Sequence, residues 1–411
     1  MSTDSAPQPE DTRSPLRRLF TSRSFVALFV SNALGFGGEQ MRLAAQSWWI
    51  LDQGGSKTEM GVAAGLRVIP VVVITLYAGV LIDRVGGRRV LILERALLII
   101  LAAITGLILL FDQVQVWHVI VLSTIAGSTI ALGLPATQTL VPDVVPKDML
   151  QPANSMNQLG NAVGRTLGPL AAGVLIAIRS AALALFGLAV VYGVALLATF
   201  GIAARGTRTS TSTDSSGRQI IDGLKHIRQN PVLFWTLFSG FSVIFYAMIF
   251  PIVPVYARDV FEVDEVKFGL MWGALAVGQA TGALFIASKG GLPRKTVSIV
   301  IGSLLFGGGL IGFGLSEYYL LSLVFLFING IGFPLHVTSW LTLLQQHSKP
   351  EYRGRVMAVY AVAMQGVSLG WLLGGISLDV LGNFETILLT VAGSMTMILL
   401  PVVFSKEIRR V

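Results

Sequence analysis

A glutamate and an arginine stand three positions apart in a stretch that is otherwise apolar enough to cross a membrane. Glu39 and Arg42 lie inside the apolar run 24–51 of the 411-residue chain. Each charge costs about 2.5 to 3.5 kcal/mol near the centre of a bilayer, so each needs a partner or water. Burial favours a protonated carboxyl group, whereas a neighbouring arginine favours the carboxylate. Pairing that changes with conformation would let Glu39 bind and release a proton, whereas a permanent ion pair would only hold helices together.

Further charged side chains inside apolar runs divide into two groups by depth. Arg67 and Arg165 lie deep within their runs and, with the first pair, make three arginines against one glutamate. This excess predicts a positively charged cavity among the first helices, where Arg67 offers a second partner for the glutamate. Glu94 and Arg95 are expected within about one turn of a helix end, where long side chains reach the polar surface. We interpret these two as structural.

Polar residues recur along one face of the first helix and again in the second half of the chain. The spacings of three and four residues place the first set on a single face, which must meet a cavity or the protein interior. That face comprises Asn32, Gly35, Glu39, Arg42, Gln46 and Trp49. The predicted cavity-lining residues are Asn32, Arg42, Gln46, Trp49, Arg67, Asn161, Arg165, Gln279, Asn329, His336 and Gln365. The second half adds aromatic residues, namely Trp235, Phe245, Tyr246, Trp272 and Trp340. Such a cavity suits an amphipathic, aromatic or partly anionic solute.

Helices must carry these residues, because the composition is that of an integral membrane protein. Hydrophobic residues make up 53% and charged residues only 13% of the chain, far from the soluble norm of about one quarter charged. A span of the hydrocarbon core needs about 20 apolar residues. Twelve such spans are predicted, at 24–51, 59–82, 90–111, 116–140, 151–178, 181–204, 230–257, 266–288, 296–315, 318–346, 356–378 and 386–405.

Basic residues are distributed unequally between the two sides of these spans. Of the 30 lysines and arginines, four lie inside predicted spans, and only Lys57, Arg179, Arg258 and Lys267 lie in the loops or at the span ends of one side. Cytoplasmic loops concentrate basic residues, so both termini are predicted to be cytoplasmic. The net charge of +8 therefore reflects membrane topology, and no nucleic-acid partner is expected.

The chain divides into two halves around one long linker. Shifting the sequence by about 204 residues superimposes Gly86 on Gly290 and Pro146 on Pro350, which indicates a duplicated unit. The predicted fold is all-α, with two pseudo-symmetric bundles of six helices. The predicted parts are a cytoplasmic tail 1–23, a first bundle 24–204, a cytoplasmic linker 205–229, a second bundle 230–405 and a tail 406–411.

Residues for enzymatic chemistry are missing from the sequence. It contains no cysteine, and its four histidines are scattered without the spacing of metal ligands. It also lacks the G-x-x-x-x-G-K-[ST] loop that binds nucleotide phosphates. We therefore expect no enzyme activity, no metal ion and no cofactor.

The loop after the second span, "GVLIDRVGGRRV" at 79–90, resembles the signature loop of the major facilitator superfamily, G-x-x-x-D-R-x-G-R-[RK]. Gly87 is the one departure from that pattern. The resemblance implies a fold of twelve helices and a gate at the cytoplasmic face, where Asp83 meets the positive end of the eleventh helix. The predicted gate residues are Gly79, Asp83, Arg84, Gly86, Arg88, Arg89, Arg353 and Arg355.

A second resemblance, over residues 133–176, is to the transmembrane secretion effector branch of that superfamily, which includes siderophore exporters of the enterobactin type. The matching residues are Pro135, Val145, Pro146, Leu150, Ala153, Asn154, Asn157, Asn161, Arg165, Gly168 and Pro169. Gly164, Gly168, Pro169 and Gly173 also resemble a helix-packing motif of exporting antiporters. The fourth span departs from drug antiporters because it contains no arginine or lysine, so a proton mechanism built on such a residue does not transfer.

These resemblances imply a secondary transporter that works by alternating access between its two bundles. We expect a proton-coupled exporter of a small amphipathic or partly anionic solute, such as a siderophore, antibiotic or drug, with Glu39 as the coupling residue. The alternative is an uncoupled facilitator or an importer of an organic anion, and a receptor or channel is a more distant one. The expected location is the bacterial cytoplasmic membrane, the expected partners are the solute, protons and lipid, and the expected state is a monomer.

Overall fold

The computed structural model of this protein describes residues 15–111, 114–146, 149–203, 224–288, 294–348, 352, 356, 359–360 and 363–410. Within these ranges every regular element is a helix, and no strand is present. We call the helices before residue 204 the N-half and those after residue 223 the C-half.

Nine helices are found in the described residues of the N-half, and several of them are pieces of one predicted span. They are α1 Pro15–Thr21, α2 Arg23–Asp52, α3 Lys57–Gly65, α4 Val68–Val85, α5 Gly87–Ile108, α6 Val116–Ile130, α7 Gly133–Val144, α8 Leu150–Ile178 and α9 Ala181–Phe200.

The C-half has the same alternation of long and broken helices. Its helices include α10 Pro231–Gly240, α11 Ser242–Ala247, α12 Ile249–Asp259, α13 Glu265–Ser288, α14 Lys295–Leu315, α15 Tyr319–His347, α16 Gly366–Val380, α17 Asn383–Phe404 and α18 Lys406–Arg410.

Proline explains three of the breaks inside predicted spans. Proline has no N–H to donate, and its ring collides with the carbonyl four residues earlier, so the preceding helix ends there. The breaks and their prolines are 66–67 with Pro70, 131–132 with Pro135, and 248 with Pro251. Arg67, the N-cap residue of α4, therefore leaves the backbone at a break and not from the wall of a continuous helix.

Nine spans in the described residues are long and apolar enough to cross a membrane. The fourth and seventh predicted spans are among them, as Val116–Val144 and Pro231–Asp259. The first predicted span corresponds to α2, whose 30 residues measure about 45 Å but whose polar face lowers its mean hydropathy. The structure confirms the all-helical membrane fold, and the count of twelve spans stays a prediction.

Glycines bring the helices of the N-half together. A side-chain carbon on Gly164 of α8 would lie 2.8 Å from the backbone nitrogen of Gly37 on α2. One on Gly168 would lie 2.9 Å from the nitrogen of Met41. Any larger residue at either position would push the helices apart, so Gly164 and Gly168 of the predicted packing motif lie at the α2–α8 contact, whereas Gly173 lies against α13.

Two helix pairs make the largest described contacts between the halves. α3 packs against α16, where a side-chain carbon on Gly61 would lie 2.8 Å from the Cα of Gly375, and α8 packs against α13. Counted as spans, these pairs are the second with the eleventh and the fifth with the eighth. A shift of six spans exchanges one pair for the other, as expected for two repeated units.

Candidate functional site

The polar face of α2 is buried inside the N-half. Ser22 caps the helix by accepting a hydrogen bond from the Phe25 N–H. Further along, Glu39, Arg42 and Gln46 are buried, each with at most 5% of its surface exposed. The face predicted from the spacing therefore exists, and its central part contacts the other helices of its own half.

Glu39 is the centre of an ion-pair network. Arg42 donates from Nε to Oε2 at 2.8 Å and from Nη2 to Oε1 at 2.7 Å, which makes a bidentate pair on one helix. The Nη1 of Arg67 also donates to Oε1. Bidentate charge-assisted hydrogen bonds are among the strongest that proteins make. The carboxylate is thus held by two arginines from different helices.

The network extends onto α6 through uncharged groups. Arg42 Nη1 donates to Gln46 at 2.5 Å and to the hydroxyl of Ser123 at 3.2 Å, and Ser123 donates to the same Gln46 oxygen. Arg42 and Gln46 also line a cavity about the size of one water molecule, together with Tyr192 of α9. These predicted cavity residues therefore lie in the interior of the N-half.

Arg67 links this network to the C-half. Its side chain passes over Gly127 of α6, where any side chain would collide with the Cδ of Arg67. The guanidinium carbon lies 4.6 Å from the centre of the Trp371 ring on α16, a cation–π contact. The fourth span has no arginine of its own. Gly127 of that span leaves space for Arg67, which comes from the second span.

The burial of Glu94 and Arg95 differs from the prediction that they reach the polar surface. They do not reach the polar surface, because they are only 1% and 4% exposed and pair with each other at 2.8 Å. Arg95 lies over Gly35 of α2, and Glu94 lies against Gly133 at the start of α7. These two glycines leave the space that the pair occupies, so a second buried ion pair lies in the N-half.

Arg165, like Arg67, reaches a residue of the other half across the interface. Its Nη1 lies 3.4 Å from the Oε1 of Gln279 on α13, and its guanidinium lies 5.5 Å from the Phe36 ring. One turn before Arg165 on α8, Asn161 accepts a hydrogen bond from Asn32 of α2 at 3.2 Å. The structure therefore brings four predicted cavity residues, together with Phe36, into one patch on α2, α8 and α13.

The predicted residues of the C-half lie apart from that patch. Asn329 donates to the Phe306 carbonyl at 2.7 Å, and His336 is hydrogen-bonded to Ser242 at 3.2 Å. Both are 1% exposed, so they join helices within the C-half. Gln365 is the half-buried N-cap residue of α16, and Trp49 is buried near the end of α2.

The predicted gate is only partly described. Arg353 and Arg355 lie outside the described residues, as does the side chain of Asp83, so the latch stays a prediction. Arg88 donates to the Phe200 carbonyl at 2.7 Å and so caps α9. Gly86 has a φ of 92°, which favours glycine, and forms the turn between α4 and α5. Arg84 and Arg89 flank that turn and are exposed, while Gly79 lies in the last turns of α4.

A polar latch at the other end of the bundle was not predicted. Asp379 at the end of α16 accepts hydrogen bonds from the backbone N–H groups of Lys57 at 3.3 Å and Thr58 at 2.7 Å. The Lys57 ammonium lies 2.7 Å from Asn383 and 3.2 Å from Asp259. We call this end, where α2 ends and α3 begins, the distal end. The described contacts there hold the two halves closed.

Sequence reasoning missed Trp371 and Asp379 for different reasons. Trp371 carries no charge and lies in an apolar span, so only its ring contact with Arg67 distinguishes it. Asp379 had a readable signal, since it ends the eleventh span on the side where the second begins. An acid at the end of one helix can face the positive start of its antiparallel neighbour.

The chain is similar to known transporters over nearly all of its length. The macrolide efflux protein A of Streptococcus pyogenes is 23% identical, over 87% of this chain and 90% of that protein. The staphyloferrin A transporter of Staphylococcus aureus is 25% identical, over 90% of this chain and 91% of that protein. Matches of this length extend over both halves of the chain.

The fold is shared with solved transporter structures. A bacterial homologue of the human lysosomal transporter Spinster superimposes with a TM-score of 0.71 over 95% of this chain and 97% of that one, at 13% identity. The sequence profile of the Major Facilitator Superfamily matches residues 28–375. The chain therefore belongs to the Major Facilitator Superfamily, whose members are multi-pass membrane transporters of small molecules and not enzymes.

Proposed function

We propose that this transporter exports a small amphipathic or partly anionic solute in exchange for protons, by alternating access between its two halves. The observation that carries the proposal is the buried Glu39 carboxylate, held by Arg42 on its own helix and by Arg67 from a helix break. A carboxylate whose partners come from two elements can lose one of them when those elements move. It then binds a proton more readily, because one of the two arginine charges that stabilise the buried carboxylate is gone.

The proposed solute class follows from the patch between the halves. Arg165 contributes a positive charge there, Phe36 an aromatic ring, and Asn161 and Gln279 hydrogen-bonding amides. An amphipathic molecule with an aromatic or anionic part would use all of these groups. The relatives named for macrolide efflux and for staphyloferrin A support an antibiotic or a siderophore as the solute and export as the direction.

The proposed orientation places both termini in the cytoplasm and the distal end outside a bacterial cell, with the transporter acting as a monomer in the cytoplasmic membrane. The described contacts at Lys57, Gly61 and Asp379 then close the outer face. The proposed cytoplasmic gate at Asp83 would close in the alternate state.

An uncoupled facilitator, or an importer of an organic anion, is the second candidate. Arg42 binds Glu39 in a bidentate pair within one helix, and such a pair persists whether or not the halves move. If this pair never opens, Glu39 only cancels charge, and the positive patch at Arg165 serves to bind an anion.

The two candidates differ in what Glu39→Gln should do. In sealed vesicles with an imposed pH gradient, the variant should lose uphill transport of a labelled macrolide or siderophore. It should keep exchange of labelled for unlabelled solute at equal pH, because exchange needs no net proton movement. The exposed Glu317 supplies the matched control, and Glu317→Gln should transport as the wild type does.

Retained gradient-driven transport by Glu39→Gln would contradict the coupling role. A wild-type protein that equilibrates solute but ignores the pH gradient would favour the facilitator. Uptake in place of efflux, measured in vesicles of known orientation, would reverse the proposed direction.

A further inference from the structure

Arg67 is the described cation that touches both the Glu39 network and the opposite half. Its guanidinium donates to Glu39 within the N-half and lies 4.6 Å from the Trp371 ring of the C-half. The side chain is 13% exposed, and Trp371 is 7% exposed. The ring therefore helps to shield the guanidinium from water.

The C-half holds this ring in place. Trp371 packs against Phe250 with 4.9 Å between ring centres, and Phe250 packs in turn against Trp272 at 5.2 Å. These three rings come from α16, α12 and α13. The position of Trp371 is thus set by the C-half and will follow that half when it moves.

Arg67, in contrast, belongs to the N-half. It lies at the break between α3 and α4, packs on Gly127 of α6 and binds Glu39 of α2. The contact between the two halves at this level is α3 against α16, where a side-chain carbon on Gly65 would lie 2.5 Å from the Ser368 carbonyl. Opening the distal end must separate these helices and draw Trp371 away from Arg67.

Other charged or titratable groups near Glu39 stay with it during such a movement. They are Arg42 on α2, Glu94 and Arg95 on α5, and Tyr192 on α9. All of them belong to the N-half, so none of their distances to Glu39 changes if that half moves as a unit. The contact of Arg67 with Trp371 is the described part of the network that depends on the state of the halves.

We propose that Trp371 is a positioning residue for proton coupling: it seals Arg67 onto Glu39 while the distal end is closed and exposes Arg67 to water when that end opens. The inference rests on the proposed proton coupling. A hydrated guanidinium attracts a carboxylate far less than a buried one does. Glu39 then takes a proton from water on the distal side, and closure presses Arg67 back and returns that proton to water on the other side.

The test measures proton leak, which needs no identified solute. Purified protein is placed in vesicles with a pH-sensitive dye inside, and the decay of an imposed pH gradient is followed. Trp371→Leu should speed this decay about three- to tenfold, the range expected from losing one cation–π contact. Trp371→Phe keeps an aromatic face and should restore most of the wild-type rate. Trp117 is 59% exposed on α6, and Trp117→Leu serves as the matched control with no change.

The double variant Trp371→Leu with Glu39→Gln separates a coupling role from loose packing. If the leak passes through Glu39, the double variant decays at the wild-type rate. A leak that persists in the double variant, or a wild-type rate in Trp371→Leu itself, would overturn the inference. If Trp371→Leu is not recovered from membranes, Trp371→Met replaces it with the same expectation. Failure of the proposed function is distinct, since it shows as wild-type solute transport that ignores the pH gradient.

Discussion

The interiors of the two halves use different chemistry in equivalent places. In the N-half, α2 carries Glu39 and Arg42 into a network of buried ion pairs. In the C-half, the counterpart span carries Tyr246, which bonds to the Ser303 hydroxyl at 3.1 Å and packs against the Phe306 ring at 4.0 Å. Among the described residues of α10 to α17, each lysine, arginine, aspartate and glutamate lies within three residues of a helix end.

Under the proposed proton coupling, this contrast separates two tasks of the transporter. Buried charges are costly and stable only as long as their partners stay in place, so they respond strongly to small movements. Neutral hydrogen bonds and stacked rings are worth little individually and do not change with pH. The N-half is therefore suited to sensing protons and conformation, and the C-half to serving as a firm support for Trp371.

Removing Arg42 should produce the largest effect. Arg42→Met leaves Glu39 with Arg67 alone and should cost about 3–5 kcal/mol of stability, as for other broken buried ion pairs. Thermal unfolding in detergent, followed by size-exclusion chromatography, measures this loss. Arg42→Lys keeps the charge but cannot form the bidentate pair, so its stability should lie between those of the wild type and Arg42→Met. A Met variant as stable as the wild type would remove the contrast between the halves.

Arg165→Ala tests whether the positive charge of the N-half reaches the solute. Losing a charge-assisted contact of about 1.4 kcal/mol should weaken binding of anionic solutes about tenfold and leave neutral solutes nearly unchanged. Competition by solutes of different charge in vesicle transport gives the comparison, with Arg165→Lys as the charge-conserving control. Equal losses for all solutes would assign Arg165 to packing between α8 and α13.

Asp379→Asn tests the distal latch, which joins a charged group of the C-half to the start of α3. The amide oxygen accepts only one of the two backbone hydrogen bonds, so the closed state loses about 1 kcal/mol of stability. The fraction of molecules that are open at this end then rises about fivefold. The chain contains no cysteine, so spin labels at positions 53 and 381 report the distance without background. Asp264, the residue before α13, forms an ion pair with Lys267 of that helix, and Asp264→Asn is the control. An unchanged distance distribution would contradict the latch.

Tyr246→Phe should have the smallest effect. It removes one neutral hydrogen bond, to Ser303, at a cost of about 0.5–1.5 kcal/mol, and keeps the ring packing. Gradient-driven transport should continue at the wild-type rate in the same vesicle assay. Loss of proton-driven transport in this variant would show that the C-half interior takes part in coupling and would break the comparison.

The sequence predicted the fold and the family better than it predicted the surroundings of single residues. The spans follow from the apolar composition, and the predicted side of each loop follows from its basic residues, because the bilayer imposes both directly. The face of α2 with Glu39 and Arg42 followed from helical spacing. Spacing says which residues share a face but not which neighbour that face meets, so Asn32 lies at the interface between halves while Gln46 lies inside the N-half.

The wrong prediction for Glu94 and Arg95 has a similar cause. Distance from a helix end suggested that their side chains reach the surface, yet Gly35 and Gly133, far away in the sequence, leave a buried space for them. Nothing in the sequence distinguishes these two glycines from the others among the 45 of the chain. Only the packing of α2, α5 and α7 reveals it.

The sequence alone indicated that this protein crosses the membrane many times, belongs to a family of membrane transporters, and places a carboxylate near arginines within its spans. These properties depend on hydrophobicity, loop charge and local motifs, each of which is a short-range feature of the chain. The tertiary structure decided which arginines bind Glu39, that Trp371 covers Arg67, and that Asp379 closes the distal end. Such contacts join residues up to 322 positions apart, and they depend on helix rotation and on glycine-lined space that no local pattern records.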